Sequence, residues 1–340
     1  MKAIGYIESL PIEHERSLFE LDLPRPTCGP RDLLVRIEAV SVNPLDAVER
    51  KRRAGAPGQP LVLGWDAAGV VEEVGAEVRQ FRPGDAVYYS GALNRLGSNA
   101  DFGVVDERIA ALKPRSLSFL QAAALPLTAI TAWECLFDRF KFRPGKSPGR
   151  DALLVIGAAG GVGSMAVQLA RRLTNLRVIA TASRPESRQW VTQLGAHAVI
   201  DHTQPLSREL ERIGEAQPRY ILSLTHTKEH WDEIAAILAP QGEVCFIDIP
   251  AGLDFLKLRR KAASIHMEMM MVRVIHPGQD MEAIHQLLTE VAAMVDEGLL
   301  QTTLGEHYGP LSVANLKRAH AAVESGRTIG KIVLSGFPRP

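Results

Sequence analysis

Cysteine is scarce in this chain: three in 340 residues, Cys28, Cys135 and Cys245, far apart and none in a CxxC pair. So sparse a set excludes a disulfide framework, suggests a reducing compartment and leaves too few thiolates for a four-cysteine zinc lobe. Net charge is lacking too. Lys plus Arg number 39, and so do Asp plus Glu, so bulk electrostatics give no reason to expect nucleic acid or a membrane as partner. No apolar run approaches the roughly 20 residues that a bilayer demands. The N-terminal MKAIGYIESLPIEHER is interrupted by Glu and Pro, unlike a signal peptide. Repeats and low-complexity segments are absent as well. A soluble cytoplasmic protein is expected.

What is present divides in two. The length allows two domains, each with its own core. In the first third, short apolar runs such as LLVRIEAVSV (33–42), AAGVVEEVG (67–75) and DAVYYS (85–90) alternate with Gly-Pro punctuation. That rhythm predicts a β-rich barrel or sandwich. From about residue 124 the rhythm changes. ALLVIG, RVIATA, AVID, YILSL and EVCFID read as buried strands, alternating with helical stretches such as VGSMAVQLARRL, PESRQWVTQLG and WDEIAAILAP. Continuous apolar strands separated by helices predict a doubly wound parallel sheet, an α/β fold. Helices are expected again over 280–298 and 312–325. The closing GKIVLSG is a strand whose neighbours are expected in the first domain, which makes that domain discontinuous: 1–123 plus 270–340, around an inserted 124–269.

The densest signal is GAAGGVG (157–163), which leaves a strand and opens a helix. This is the context in which a glycine-rich turn binds a dinucleotide. Ala158 takes the first glycine position of the six-residue pattern, Gly160 the second and Gly163 the third. Gly160 and Gly161 let a pyrophosphate approach the backbone, and Gly163 allows close helix–strand packing. The amides of Ala159, Gly160, Gly161, Val162 and Gly163 then face the anion at the helix start. A ribose-binding carboxylate is expected about 20 residues on, but the next strand ends in ATA. Ser183 and Arg184 follow, with Arg188 one turn later. A guanidinium there suits a 2′-phosphate, which favours NADPH over NADH; a solvated helix start is the alternative for both arginines.

These motifs together resemble the medium-chain dehydrogenase/reductase superfamily over nearly the whole chain, in its zinc-independent quinone oxidoreductase branch, which includes "zinc-type alcohol dehydrogenase-like" sequences. The resemblance is carried by SVNPLD (41–46), GWDAAGVVEEVG (64–75), FRPGDAV (81–87), AALPLTAITAWECL (123–136), GAAGGVGSMAVQLA (157–170) and GKIVL (330–334), in that order and spacing. It implies a Rossmann domain inserted in a GroES-like domain. The zinc enzymes of the superfamily hold their metal with Cys, His and Cys. Here Asn43, Trp65 and Ala124 stand at those positions, Leu45 replaces the relay Thr, and SGALNRLGSNAD (90–101) has no Cys for a structural lobe. No metal is therefore expected; His226 and His230, at i, i+4 spacing, lack the Glu of a zincin between them.

The implied reaction is hydride transfer from NADPH to a quinone or an activated alkene such as an enone. The catalytic candidates are Asn43, Asp46 and Trp65. Asn43 donates to the substrate oxygen or braces the loop before Pro44. Asp46 matches an acid of the branch and is expected to hold the loop. Trp65 is a flat wall for a ring or a core residue. Val48 stands where the branch often has Tyr. Thr128 matches a nicotinamide contact of the family. The carboxyl ends of later strands nominate Leu224, Thr225, Ile247 and Asp248 as cofactor contacts, and Lys331 reaches the pyrophosphate or is a surface lysine. The Met-rich HMEMMMVR (266–273) ends the sheet, lines the substrate site or contacts a second subunit, and a homodimer is expected. Two other readings stand beside this one: a zinc-dependent alcohol dehydrogenase, whose ligands are missing, and a non-catalytic NADPH-binding sensor or structural protein.

Overall fold

The computed structural model describes residues 1–145, 151–248, 250–276 and 280–338. The chain divides into one unit of Met1–Leu127 with Met271–Pro340 and a second of Thr128–Met270. The sequence had suggested divisions at 123/124 and 269/270.

In the first unit the chain runs β1 (Lys2–Tyr6), β2 (Phe19–Asp22), β3 (Asp32–Val42), α1 (Pro44–Arg52), β4 (Leu61–Val62), β5 (Asp66–Val74), β6 (Ala86–Ser90), β7 (Phe102–Asp106), β8 (Ala110–Leu112) and α2 (Phe119–Ala123). β3 is the organising strand. Its DLLVRIEAVSV is buried along nearly its whole length, and it pairs with β5, β7 and the last strand of the chain. Leu33, Val35, Ile37 and Ala39 make one of its faces apolar, while on the other Arg36 pairs with Glu38 and Glu72. α1 was not foreseen as a helix, although its start is written in the sequence. Pro44 sits at the first helical position, and the Asp46 carboxylate accepts from the Asn43 backbone N–H at 2.8 Å. Both features stabilise a helix N-terminus.

α2 leads into α3 (Pro126–Trp133) and a π-helical turn, Glu134–Arg139. Against the expectation that no apolar run nears membrane length, α2, α3 and the π-helical turn together span 21 residues, Phe119–Arg139, long and apolar enough to cross a bilayer by composition, with a turn at Ala124–Leu125 between the helices. Most of it is buried inside the protein, and small residues such as Ala122, Ala123, Ala129 and Ala132 are fully enclosed. It is a core segment.

The second unit is a parallel sheet of β9 (Ala152–Ile156), β10 (Arg177–Thr181), β11 (Ala198–Ile200), β12 (Tyr220–Ser223), β13 (Glu243–Phe246) and β14 (Ser264–Met267), interleaved with α4 (Gly161–Leu173), α5 (Pro185–Gln193), α6 (Leu206–Arg212) and α7 (Thr227–Ile237). Its spatial order is β11-β10-β9-β12-β13-β14, so the chain winds outward from β9 one way and then from β12 the other. This is the doubly wound Rossmann arrangement, in which ligands bind at the point where the order reverses. Leu154, Ile156, Ile179, Ile221, Trp231, Val244 and Phe246 belong to its core. Of the three roles open for the Met-rich stretch, sheet termination is what its first residues do, since β14 is the last strand of the sheet.

The chain then returns to the first unit with α8 (Val272–Ile275), α9 (Glu282–Asp296), β15 (Leu304–Pro310), α10 (Val313–Glu324) and β16 (Lys331–Ser335). β16 lies between β15 and β3, antiparallel to β3 with Ile332 opposite Val42. The closing strand thus finds its partner in the N-terminal β-rich region, which has the GroES-like character expected of it.

Candidate functional site

Two clusters of sequence-nominated residues form, one in each unit. In the second unit, β9 ends at Ile156 and the glycine turn follows at the reversal point. Gly157 has φ +80°, a backbone that residues with a Cβ rarely adopt. Its N–H donates to Thr181 Oγ1 at 3.1 Å, which ties the turn to the end of β10. A Cβ on Gly163 would lie 2.5 Å from Ala158 Cα and from Gly157 O; only glycine lets α4 pack this tightly against the strand. Gly160 is the opposite case. A Cβ there would meet only Gly157 O, at 3.5 Å, so the backbone is open on that side. A bare N-terminus of a 13-residue helix with an open face at its cap fits a pyrophosphate, because the first-turn amides have no intrahelical partner.

The other nominated cofactor contacts separate. At the end of β12, the Leu224 N–H donates to Ile156 O at 3.1 Å, and the Thr225 methyl would lie 2.9 Å from a Cβ on Gly157. Both residues therefore sit against the glycine turn. Ser183 and Arg184 are half-buried just beyond β10, and Ile247 is half-buried just beyond β13. Thr128 is buried in α3. Two nominations acquire other work. Arg188 turns inward, its guanidinium donating to Ala182 O at 3.0 Å and Val199 O at 3.2 Å; it ties the ends of β10 and β11 together and is not held out toward a phosphate. Asp248 accepts from the Thr227 N–H at 3.0 Å and from the Thr227 hydroxyl. It neutralises the start of α7, where His226 is in the left-handed region, φ 52°.

In the first unit, strand register gathers a buried polar cluster. Ser41 lies opposite Asp66 across β3 and β5, and Val42 lies opposite Ile332 across β3 and β16. One residue further along, Asn43 and Lys331 meet at the same end. Asp66 is fully buried and accepts from Ser41 Oγ at 2.9 Å, Asn43 Nδ2 at 2.8 Å, Lys331 Nζ at 3.1 Å and the Leu127 N–H at 2.7 Å. Lys331 also donates to Val42 O at 3.0 Å and to Asn43 Oδ1. Its three ammonium donors are thus used, and it is 3% exposed. This corrects the reading of Lys331 as a pyrophosphate ligand or a surface residue: it is the internal counter-ion of Asp66.

The cluster also defines Asn43 and Asp46. An amide with its oxygen on an ammonium and its nitrogen on a carboxylate has one orientation. Asn43 and Asp46 are both about 1% exposed, so they brace the loop, and direct donation from Asn43 to a substrate would require these bonds to be given up. One Asp46 oxygen, Oδ1, is buried without a partner. Burial pushes the Asp46 carboxyl up to about 7, against the opposing pull of the Asn43 N–H and the Lys331 charge. Trp65 is 4% exposed, and core packing is the role this gives it; little indole face is left to line a site. The sequence reading missed Asp66, although WD (65–66) lay within a quoted motif. Its signal was a lone acid beside the would-be metal position.

The donor set does not fit a divalent ion. An ammonium already contacts Asp66, the neighbouring Asn43 amide is bonded on both ends, and an indole (Trp65) and a methyl group (Ala124) occupy the second and third positions. Among the described residues no group of three or more His, Cys, Asp or Glu could hold a metal.

Comparison with known proteins adds the following. Residues 29–113 match the model described as alcohol dehydrogenase GroES-like domain, and residues 194–334 match zinc-binding dehydrogenase. A zinc-type alcohol dehydrogenase-like protein of Staphylococcus aureus is 36% identical, covering 98% of this chain and 100% of that protein. The 2-methylene-furan-3-one reductase of Solanum lycopersicum is 30% identical over 99% of this chain and 80% of its own length. A crystal structure of a putative zinc-dependent alcohol dehydrogenase from Rhizobium etli is 49% identical with TM-score 0.94, covering 100% of this chain and 99% of that one.

Proposed function

The chain belongs to the medium-chain dehydrogenase/reductase superfamily, and from that premise we propose that it is an NADPH-dependent reductase of quinones or activated alkenes that works without a metal. The observation that carries this reading is an open glycine turn at the reversal point of the parallel sheet, together with an amide (Asn43), an indole (Trp65) and a methyl group (Ala124) where zinc ligands would stand. Its enone-reducing relative, similar along nearly the whole chain, supports the substrate class.

NADPH, when bound, supplies the hydride. The amides of Ala159, Gly161, Val162 and Gly163 and the dipole of α4 hold its pyrophosphate, while the Gly160 N–H closes the turn on Gly157 O at 3.2 Å. Arg184, half-buried beyond β10, supplies the charge that favours a 2′-phosphate. Thr128, Leu224, Thr225 and Ile247 flank the nucleotide. The Asn43–Asp66–Lys331 cluster keeps the loop before α1 rigid, so its part is positioning. Electron-poor acceptors take a hydride with little Lewis-acid help, and the resulting enolate or hydroquinone anion takes its proton from water. No buried acid is required for that step. We further propose a homodimer that works in the cytoplasm, with quinone or enone as its small-molecule partner.

Spectrophotometric NADPH oxidation on adding a quinone and an enone tests the proposal, with zinc measured on the same sample. The expected result is turnover unchanged by a chelator, and an Arg184→Asp variant whose Kd for NADPH rises about tenfold (roughly 1.4 kcal/mol) while NADH is little affected. Activity lost to the chelator would restore the zinc enzyme. Tight NADPH binding with no turnover across an acceptor panel would leave a sensor.

A further inference from the structure

Three histidines that the proposed function leaves unused converge at the carboxyl edge of the parallel sheet. His202 lies two residues past β11, His226 caps α7 and His230 stands one turn into that helix. The rings of His202 and His230 meet edge to face, centroids 6.4 Å apart at 86°. His226 Nδ1 is hydrogen-bonded to Thr225 Oγ1 at 2.8 Å. His202 Nδ1 is buried with no hydrogen-bond partner. A polar nitrogen removed from water and left unpaired costs on the order of 1–3 kcal/mol, and such a group in a native fold calls for a reason.

The neighbouring strand supplies one. Thr181 of β10 lies opposite Ile200 of β11, so the residues just beyond, Arg184 and His202, lie on adjacent strand ends, and the charge of Arg184 is felt at the His202 ring. An unpaired imidazole nitrogen beside a guanidinium is half of a site for an anion with several acceptor oxygens. We propose that His202 holds the ribose 2′-phosphate of NADPH as an imidazolium beside Arg184, so that binding this cofactor takes up a proton. The inference rests on the NADPH reading and adds to it a dependence of cofactor choice on pH.

The groups facing the rings set the sign. His202 faces Asp201 of its own loop, Arg184 of α5, and His226 and His230 of α7; His230 faces His202, His226, Glu229 and Glu233. Of the nearby carboxylates, Glu233 accepts from the Ser207 N–H at 3.2 Å, and Glu209 accepts from the Asp201 N–H at 2.8 Å and from Arg212. Burial, then the neighbouring positive charges, hold His202 and His230 below the ordinary imidazole range in the free protein. A phosphomonoester reverses the local charge and restores the proton, which comes from solvent. The phosphate's own second ionisation, near pH 6, works the other way by making the ligand more anionic as pH rises. A site built on arginine alone therefore binds NADPH equally or more tightly with rising pH; a site built on His202 binds it less tightly.

Equilibrium binding of NADPH and NADH from about pH 6 to about pH 8.5, with calorimetry in buffers of different ionisation heat, separates the two. For the wild type, the Kd of NADPH should rise roughly three- to tenfold per pH unit with about one proton taken up per NADPH, while NADH shows neither. In His202→Gln the NADPH slope should flatten. NADPH favoured over NADH by a pH-independent ratio, or no proton uptake in the wild type, overturns the inference and leaves the NADPH reading intact. Equal affinity for NADH and NADPH at every pH removes both.

Discussion

At the scale of single residues, the buried cluster of the first unit takes two opposite charges out of water, which costs several kcal/mol per ion unless they are paired and hydrogen-bonded. An ammonium and a carboxylate, both within 3% of complete burial, persist because Asp66 accepts four hydrogen bonds and Lys331 donates three. Lys331→Met strips Asp66 of its counter-ion and leaves Ser41, Asn43 and Leu127 around a bare charge. The expected loss of stability is about 3–5 kcal/mol, read from the shift in denaturant midpoint; Lys331→Met combined with Asp66→Leu should recover part of it. Asp46 gives a prediction of the opposite kind. Its folded carboxyl titrates near 7 against an ordinary 3.8, so the folded protein binds a proton that the unfolded chain has released. The stabilisation is fully present below about pH 4 and fades as pH rises through 7. Between about pH 5 and about pH 8 the wild type should lose about 2.5 kcal/mol that Asp46→Asn, which keeps the acceptor for the Asn43 N–H, does not lose. A variant with the same pH slope as the wild type would show that Asp46 is ionised throughout.

At the scale of elements, glycines that look alike in the sequence do different work. Gly163 is a packing residue and Gly160 an access residue, because a Cβ meets backbone at 2.5 Å in one case and open space in the other. Gly163→Ala should lower stability by about 1–3 kcal/mol through overpacking, visible in thermal unfolding. Gly160→Ala should leave unfolding nearly unchanged yet raise the Kd for NADPH about tenfold, since its methyl stands where the pyrophosphate meets the amides. If both variants bind NADPH as the wild type does, the turn does not hold the nucleotide. The same scale explains Arg188 and Asp248. Spacing placed Asp248 at a strand end and Arg188 one turn into α5, but whether such a side chain faces a ligand or a neighbouring backbone depends on which carbonyls and amides lie unpaired beside it.

At the scale of the whole molecule, two exposed methionines stand at an open sheet edge: Met267, the last residue of β14, is 58% exposed and Met269, two residues on, 49%. β14 pairs with β13 alone among the described residues. An unpaired edge strand beside exposed methionines favours self-association. Sedimentation should find a homodimer for the wild type and a monomer for Met267→Lys, with core stability unchanged; a monomeric wild type would remove the subunit contact from the account.

The doubly wound sheet and its glycine turn were determined by the sequence alone, because both rest on local rules: apolar strands alternating with helices, and residues bare enough to let a phosphate near an amide. The closing strand was legible for the same reason, as an apolar run in need of partners. The Asp66–Lys331 pair was decided only by tertiary structure. Those residues are 265 positions apart, and no spacing along the chain reveals them until β16 settles against β3 with Ile332 opposite Val42. Register, which fixes which side chains share an end and a face, is a property of strands brought together. It turned a lysine read as an arm for phosphate or a surface residue into the buried partner of an acid that sequence reasoning had passed over.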